Sequence, residues 1–344
     1  MRTAPQGHAT RVPASGHRVS RRAALGALAA PIAGLPATGH AQTGGTDWPT
    51  QPVRYINPFP PGGATDTLSR LWCAKMGEIA GQQFVVENRS GSGGNVGVDA
   101  VAKSRPDGYT IGLGGIASHA IAPTLYARLA FDPARDFTFV SGLWRLPNIL
   151  VVNNDLPARS VPELIALLRA EPGRYAYASS GAGTTPHLSG ELLKRLAGVD
   201  VLHVPYRGGA PALLDLMAGR VHLMMDNIPG YLPAVRDGKV RALAVTGPRR
   251  SPAAPELPAM GEVLPGFEMT SWTCVCGPAG LPRAVVERLS ALTRRALESP
   301  DLVRGYEDLG ATPWWTTPEE IAAFRASEEA RLAPLVRATG ARVE

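Results

Sequence analysis

Two stretches of this chain set glycines and small hydroxyl residues between an apolar run and an amphipathic helix. In the first, Val53–Phe59 leads through Pro60-Pro61-Gly62-Gly63-Ala64-Thr65-Asp66-Thr67 into a pattern carrying Leu68, Leu71, Trp72, Met76 and Ile79. In the second, Tyr175–Ala178 leads through Ser179-Ser180-Gly181-Ala182-Gly183-Thr184-Thr185 into one carrying Leu188, Leu192 and Leu196. A glycine-rich turn at a helix start leaves backbone N–H groups without partners, and the helix dipole adds about half a positive charge there. Such a turn holds an anion without any cationic side chain, and two facing each other would grip a small carboxylate. Gly81 and Gly198 follow the last apolar positions, as a helix C-terminus favours.

Other combinations carry less. His187 and Glu191 lie four apart on a helix, a spacing that could ligate a metal, but His119, His203 and His222 form no close set with them. His187 is therefore read as a capping or cleft-rim residue. Gly91-Ser92-Gly93-Gly94-Asn95-Val96-Gly97 opens a helix after a strand, with its third glycine one residue late for the dinucleotide fingerprint. Ser179 and Ser180 lack the Gly-x-Ser-x-Gly setting of a nucleophile elbow. Asp226 ends an apolar strand pattern, as a ligand contact or as a buried acid tied to backbone amides. Facing a ligand, it would favour an amino or hydroxyl group and oppose a further carboxylate. Arg145 and Arg207 fall near the expected cleft edges and are assigned to salt bridges. No cofactor or metal ion is expected.

The elements that must position these turns alternate between strand and helix patterns. Strands are expected at Phe84–Val86, Tyr109–Leu113, Phe137–Gly142, Ile149–Val152, Val201–Pro205, Val221–Asp226, Val240–Thr246 and Ser271–Gly277, with helices such as Val161–Ala170, Ala210–Ala218 and Pro282–Glu298 between. This alternation implies an α/β fold with a mostly parallel sheet flanked by helices. The two copies stay in register beyond the first turn. One continues through Phe84–Val86, the turn Arg89–Gly94 and Tyr109–Leu113, the other through Val201–Pro205, the turn Tyr206–Gly209 and Val221–Asp226. Two βαβαβ units imply two lobes of one plan, with ligand beyond the carboxyl ends of the strands and hinge closure around it.

At 344 residues and 44% hydrophobic composition the chain can bury two cores. Its net charge of +6 is concentrated in the leader, where Arg2, Arg11, Arg18, Arg21 and Arg22 stand among no acids. Without residues 1–41 the remainder carries about +1, which excludes a nucleic-acid partner on charge grounds. Ser20-Arg21-Arg22, the apolar run Ala23–Leu35 and the small-residue site Gly39-His40-Ala41 read as a cleaved export signal, too short for a membrane span of about 20 residues. The paired arginines point to the twin-arginine route, with ordinary secretion as the alternative. Cys73, Cys274 and Cys276 include no Cys-x-x-Cys and are expected buried and free.

Trp48-Pro49, Asn57 to Asp66, Val86-Glu87-Asn88-Arg89 with Gly91 to Asn95, Asp107-Gly108-Tyr109-Thr110, Ala178-Ser179-Ser180-Gly181, His203-Val204-Pro205-Tyr206, Asp226-Asn227 and Ala242 to Thr246 follow one another in a consistent order. From Trp48 to the C-terminus the chain resembles the substrate-binding proteins of tripartite tricarboxylate transporters, the Bug family. The resemblance implies a two-lobed periplasmic binding protein of the type II, Venus-flytrap kind. It implies a monomer that delivers a small carboxylated ligand to membrane permease subunits, and no enzyme. The corresponding domains are a signal at 1–41, a first lobe from 46–142 and 273–344, and a second lobe from 143–272. The resemblance places ligand contacts at Phe59, Gly62, Gly63, Ala64, Thr67 and Ser118 in the first lobe, with Asp66 capping its helix. Opposite them it places Ser179, Ser180, Gly183, Thr184 and Asp226. A secreted α/β enzyme acting on a carboxylated substrate and a receptor signalling to a sensor protein are the alternatives.

The leader reading gives a direct expectation: mass spectrometry of protein recovered from the periplasm should find the N-terminus at or near Gln42, and Met1 on the mature protein would refute it.

Overall fold

The computed structural model describes residues 47–343, and the expected export signal at residues 1–41 lies outside them. Ten strands form the framework: β1 (Val53–Asn57), β2 (Phe84–Asn88), β3 (Thr110–Gly115), β4 (Phe137–Val152), β5 (Ala176–Ser179), β6 (Leu202–Pro205), β7 (Leu223–Asn227), β8 (Arg241–Val245), β9 (Thr270–Pro278) and β10 (Thr312–Pro313). They run in the order β2-β1-β3-β9-β4-β7-β5-β6, with β8 and β10 also paired to β4.

The internal repeat is visible in that order. β2-β1-β3 and β6-β5-β7 are the same parallel arrangement, each made by one βαβαβ unit. Each then meets an antiparallel strand at the same place, β9 beside β3 and β4 beside β7. The sheet is therefore mixed, with the expected parallel strands forming the outer part of each half. The reason is that β4 and β9 run between the two halves and enter as reversals rather than through crossover helices. The expected strands Phe137–Gly142 and Ile149–Val152 are one element, β4, which pairs with β9 as far as Pro147 and with β7 from Asn148 onward.

Each half buries apolar side chains on both faces of its sheet, and strand alternation sorts them. Along β4, Leu150 and Val152 enter one core of the second half while Ile149 and Val151 enter the other. In the first half Val53 and Tyr55 point to one core and Ile56 to the opposite one. The helix Ala64–Ala80 buries Leu68, Trp72 and Met76, spaced four apart on one stripe, and ends on Gly81 in the left-handed region at φ 71°. Its counterpart Thr185–Ala197 ends the same way on Gly198, at φ 62°. Cys73, Cys274 and Cys276 are buried and free.

Trp72 is fully buried against Tyr55 and Phe84, with ring centroids at 5.2 and 5.9 Å. Trp72→Ala should destabilise the protein by about 3–5 kcal/mol in equilibrium urea unfolding. A loss under about 1 kcal/mol would show that this contact contributes little to the first half.

Candidate functional site

A cavity of about 300 Å³ lies where the two repeats face each other. Its first wall comes from Pro58–Pro60, Gly62–Thr65, Gly93–Gly94, Leu113–Ser118 and Ser271–Thr273. Ser180, Thr184–Pro186, Gly209–Ala210, Leu213–Leu214, Asp226–Asn227 and Gly230–Tyr231 form the second.

Four helix N-termini reach it. The helices Ala64–Ala80, Asn95–Ala102, Thr185–Ala197 and Gly209–Met217 begin at Gly63, Gly94, Thr184 and Gly208, none of which caps through a side chain. Ser160 and Thr317 do cap the helices Val161–Ala170 and Pro318–Ala338, whose starts are not in the cavity wall. The wall thus offers the positive ends of helix dipoles and, at Gly63, Thr184 and Gly208, backbone donors; at the Asn95 helix the Gly94, Asn95 and Val96 N–H groups are bonded to Gly91 O and Ser92 O. Among the described residues lining it there is no Lys, Arg or His, and Asp226 is the sole carboxylate.

Polar braces fix the turns. Asp66 accepts from the Gly62 N–H at 3.0 Å, Arg70 Nε at 2.9 Å and Asn88 Nδ2 at 2.8 Å, tying the first turn to its helix and to β2. Burial opposes its charge, but these donors outweigh it and hold the carboxyl below its ordinary pKa. In the second half Gly183 donates its N–H to His187 Nδ1 at 3.2 Å, and Ser179 Oγ lies 2.7 Å from His203 Nε2 while accepting the Gly181 N–H. Tyr177, His203 and His187 stack in sequence, with centroids 4.7 and 4.4 Å apart. Burial, then His187 and Lys194, pushes His203 down to about 3, and burial lowers His187, so both rings are neutral at pH 7.

Of the residues singled out from sequence, Phe59, Gly62, Gly63, Ala64, Ser118, Ser180, Thr184 and Asp226 line this one cavity. The structure does not bring Thr67, Ser179 or Gly183 to it. Thr67 Oγ1 turns back to Gly63 O at 3.1 Å, the local bond available to a hydroxyl inside a helix. Ser179 is fully buried on His203. Gly183, at φ +81°, faces Leu125, where a Cβ would come within 2.9 Å. The Gly62 amide is spent on Asp66, so this glycine presents backbone carbon rather than a donor. Neither Arg145 nor Arg207 is in the wall, and Arg145 stacks 3.8 Å over Trp314.

Asp226 is buried and lines the cavity. Ser180 Oγ and Tyr231 Oη donate to its Oδ2, and its Oδ1 accepts the Asn227 N–H at 2.7 Å. Burial pushes its pKa up to about 6 against these three hydrogen bonds.

Gly93, Gly94, Gly209 and Ala210 were passed over. They occupy the second turn of each repeat, and the register of the two copies was the signal that could have found them. Trp272 and Tyr231 carried no such sign. The rims also touch: Tyr126 Oη lies 3.0 Å from Ser92 O in the first half and 3.1 Å from Ala182 O in the second.

The model of the family described as "Tripartite tricarboxylate transporter family receptor" matches residues 68–341. The chain belongs to that family. Protein BugT of Bordetella pertussis is 36% identical over 91% of this chain and 95% of its own length. The structure titled R. palustris Rpa4515 with adipate is 40% identical and superposes with a TM-score of 0.84, covering 86% of this chain and all of that one. MatC from Rhodopseudomonas palustris with bound malate is 34% identical, with a TM-score of 0.79 over 84% of this chain and all of its own. The fold of this receptor is accordingly that of a two-domain periplasmic binding protein.

The rim contacts generate a test of closure. A Cβ on Gly208 would sit 2.4 Å from Pro60 Cδ across the cleft, and its φ of 163° is ordinary extended backbone. Gly208→Val in the receptor should keep its far-UV circular dichroism and lose at least about tenfold in ligand affinity, because the obstacle exists only with the walls together. Unchanged affinity would show that ligand is held without this contact.

Proposed function

We propose that this receptor captures a small carboxylate in the cavity between its two lobes and delivers it, in the periplasm, to the membrane subunits of a tripartite tricarboxylate-type transporter. One observation carries the reading: three helix starts without side-chain caps, at Gly63, Thr184 and Gly208, converge on a space that no cationic side chain lines among the described residues. Oriented amides compensate a carboxylate's charge while leaving it able to depart, since no buried ion pair has to be broken. The adipate and malate of the two related structures are of the same class. Lobes meeting at Pro147/Asn148 on β4 and at Met269/Thr270 before β9 give a two-strand hinge. The donors divide between the lobes, so a ligand touching both favours the closed form by its differential affinity.

A thermal-shift panel of mono- and dicarboxylates of three to eight carbons should yield at least one stabilising acid, with unrelated sugars and amines inert. Small-angle scattering with that acid at saturation should show a smaller radius of gyration. A panel in which no carboxylate shifts the melting temperature would remove the reading.

A further inference from the structure

The floor of the cavity holds a proton account that the two anion-binding turns do not explain. Ser180 is 7% exposed and lines the cavity, and Asp226, 4% exposed, lies beside it. A hydroxyl has one proton. While Asp226 is ionised, Ser180 gives that proton to Oδ2 and shows the cavity only lone pairs. Tyr231 cannot substitute as a donor. Its hydroxyl lies among Asp226 Oδ2 at 3.1 Å, Gly209 O at 3.2 Å and Met224 Sδ at 2.8 Å, so its proton stays inside.

Protonation reverses the direction of one hydrogen bond. Oδ1 faces the Asn227 N–H, which can only donate, whereas Oδ2 faces the Ser180 hydroxyl, which can accept, so an added proton belongs on Oδ2, where it can be donated to Ser180 Oγ. The Ser180 proton is then free to point into the cavity. The floor changes from an acceptor beside a negative charge to a neutral donor.

We infer that Ser180 and Asp226 form a proton-linked subsite, which accepts the second carboxylate of a dicarboxylic acid only with uptake of one proton by the protein. This rests on the carboxylate-capture reading above and assigns it a ligand class. The groups that face Asp226 are uncharged on every side. They are Ser180 from the turn after β5, Asn227 on β7, the Gly209 backbone from the helix Gly209–Met217, and the Tyr231 hydroxyl. Tyr231 is the one other titratable group among them, and burial raises its pKa well above the ordinary value. From β4, Asn148 accepts from Asn227 Nδ2 at 2.7 Å and contributes no charge. With no cation at hand, an ionised floor and an ionised ligand would repel each other at short range.

The sign follows from a carboxyl whose pKa stands at about 6 in the empty receptor. Below that value the donor form is already present. Above it, each pH unit should weaken dicarboxylate binding about tenfold. A monocarboxylate held at the turns alone has no such slope.

The experiment is isothermal titration calorimetry on the purified receptor from pH 7 to 8.5, where the probes stay ionised. Linear dicarboxylates of four to eight carbons are compared with monocarboxylates of equal length, each in two buffers of different ionisation enthalpy. The expected result is a falling dicarboxylate affinity with uptake approaching one proton at pH 8, and flat monocarboxylate binding. Asp226→Asn, checked for retained circular dichroism, should flatten the dicarboxylate profile. Dicarboxylate binding without slope or proton uptake overturns the inference and leaves carboxylate capture standing. The same slope for both classes overturns it too, because the proton would then act at the shared turn. Binding of neither class at any pH overturns inference and function together.

Discussion

With no cation in its wall among the described residues, this cavity meets an anion's charge chiefly with main-chain amides, and a main-chain amide cannot be swung into place by a rotamer. Each such amide is fixed by where a strand ends and a helix starts. The strand–turn–helix unit places that junction at the carboxyl end of a parallel strand, so bringing four junctions together requires two such sheets facing each other. Duplicating one βαβαβ plan meets the requirement, with β6-β5-β7 repeating β2-β1-β3. At Gly63, Thr184 and Gly208 a side-chain cap would occupy the groups a ligand needs.

Leaving helix starts uncapped removes local support, and the turns are held from behind instead. Asp66 anchors the first turn through three donors. The second hangs on neutral imidazoles, with His187 accepting from Gly183 and His203 paired to Ser179. Each brace is a buried polar contact whose loss strands a partner, at a cost of about 1–3 kcal/mol. The residues that do not touch the cavity, Ser179 and Gly183 among them, belong to this supporting layer.

Much of this could be read from the sequence, and the misreadings have physical causes. The glycine-rich turns, their helices and the left-handed glycines ending them follow from local chemistry, as does the repeat. Which atoms of a turn face a cavity is decided within a few ångströms, and composition does not encode it. Thr67 and Thr184 show the difficulty. Both hydroxyls return to a nearby carbonyl, Gly63 O and Gly181 O, yet only Thr184 lines the cavity. The expected strands Phe137–Gly142 and Ile149–Val152 are one strand, β4, that runs through Pro147. That residue lies where the strand passes from one partner to the next. Trp272 joins the wall through β9, a long-range pairing invisible to any window of sequence.

That insertion of β9 between β3 and β4 also sets an order of assembly. Both cores of the second half draw their buried side chains from one unbroken stretch, Ile149 to Phe267. The first half takes its buried side chains from both ends of the chain, with Val53 and Ile56 at one and Leu302 and Val336 at the other. As the polypeptide emerges from the N-terminus, β3 waits unpaired with β9 while the later-made half completes itself. The half made first is therefore finished last, and until then its apolar strands are the part of this receptor that a chaperone would need to shield.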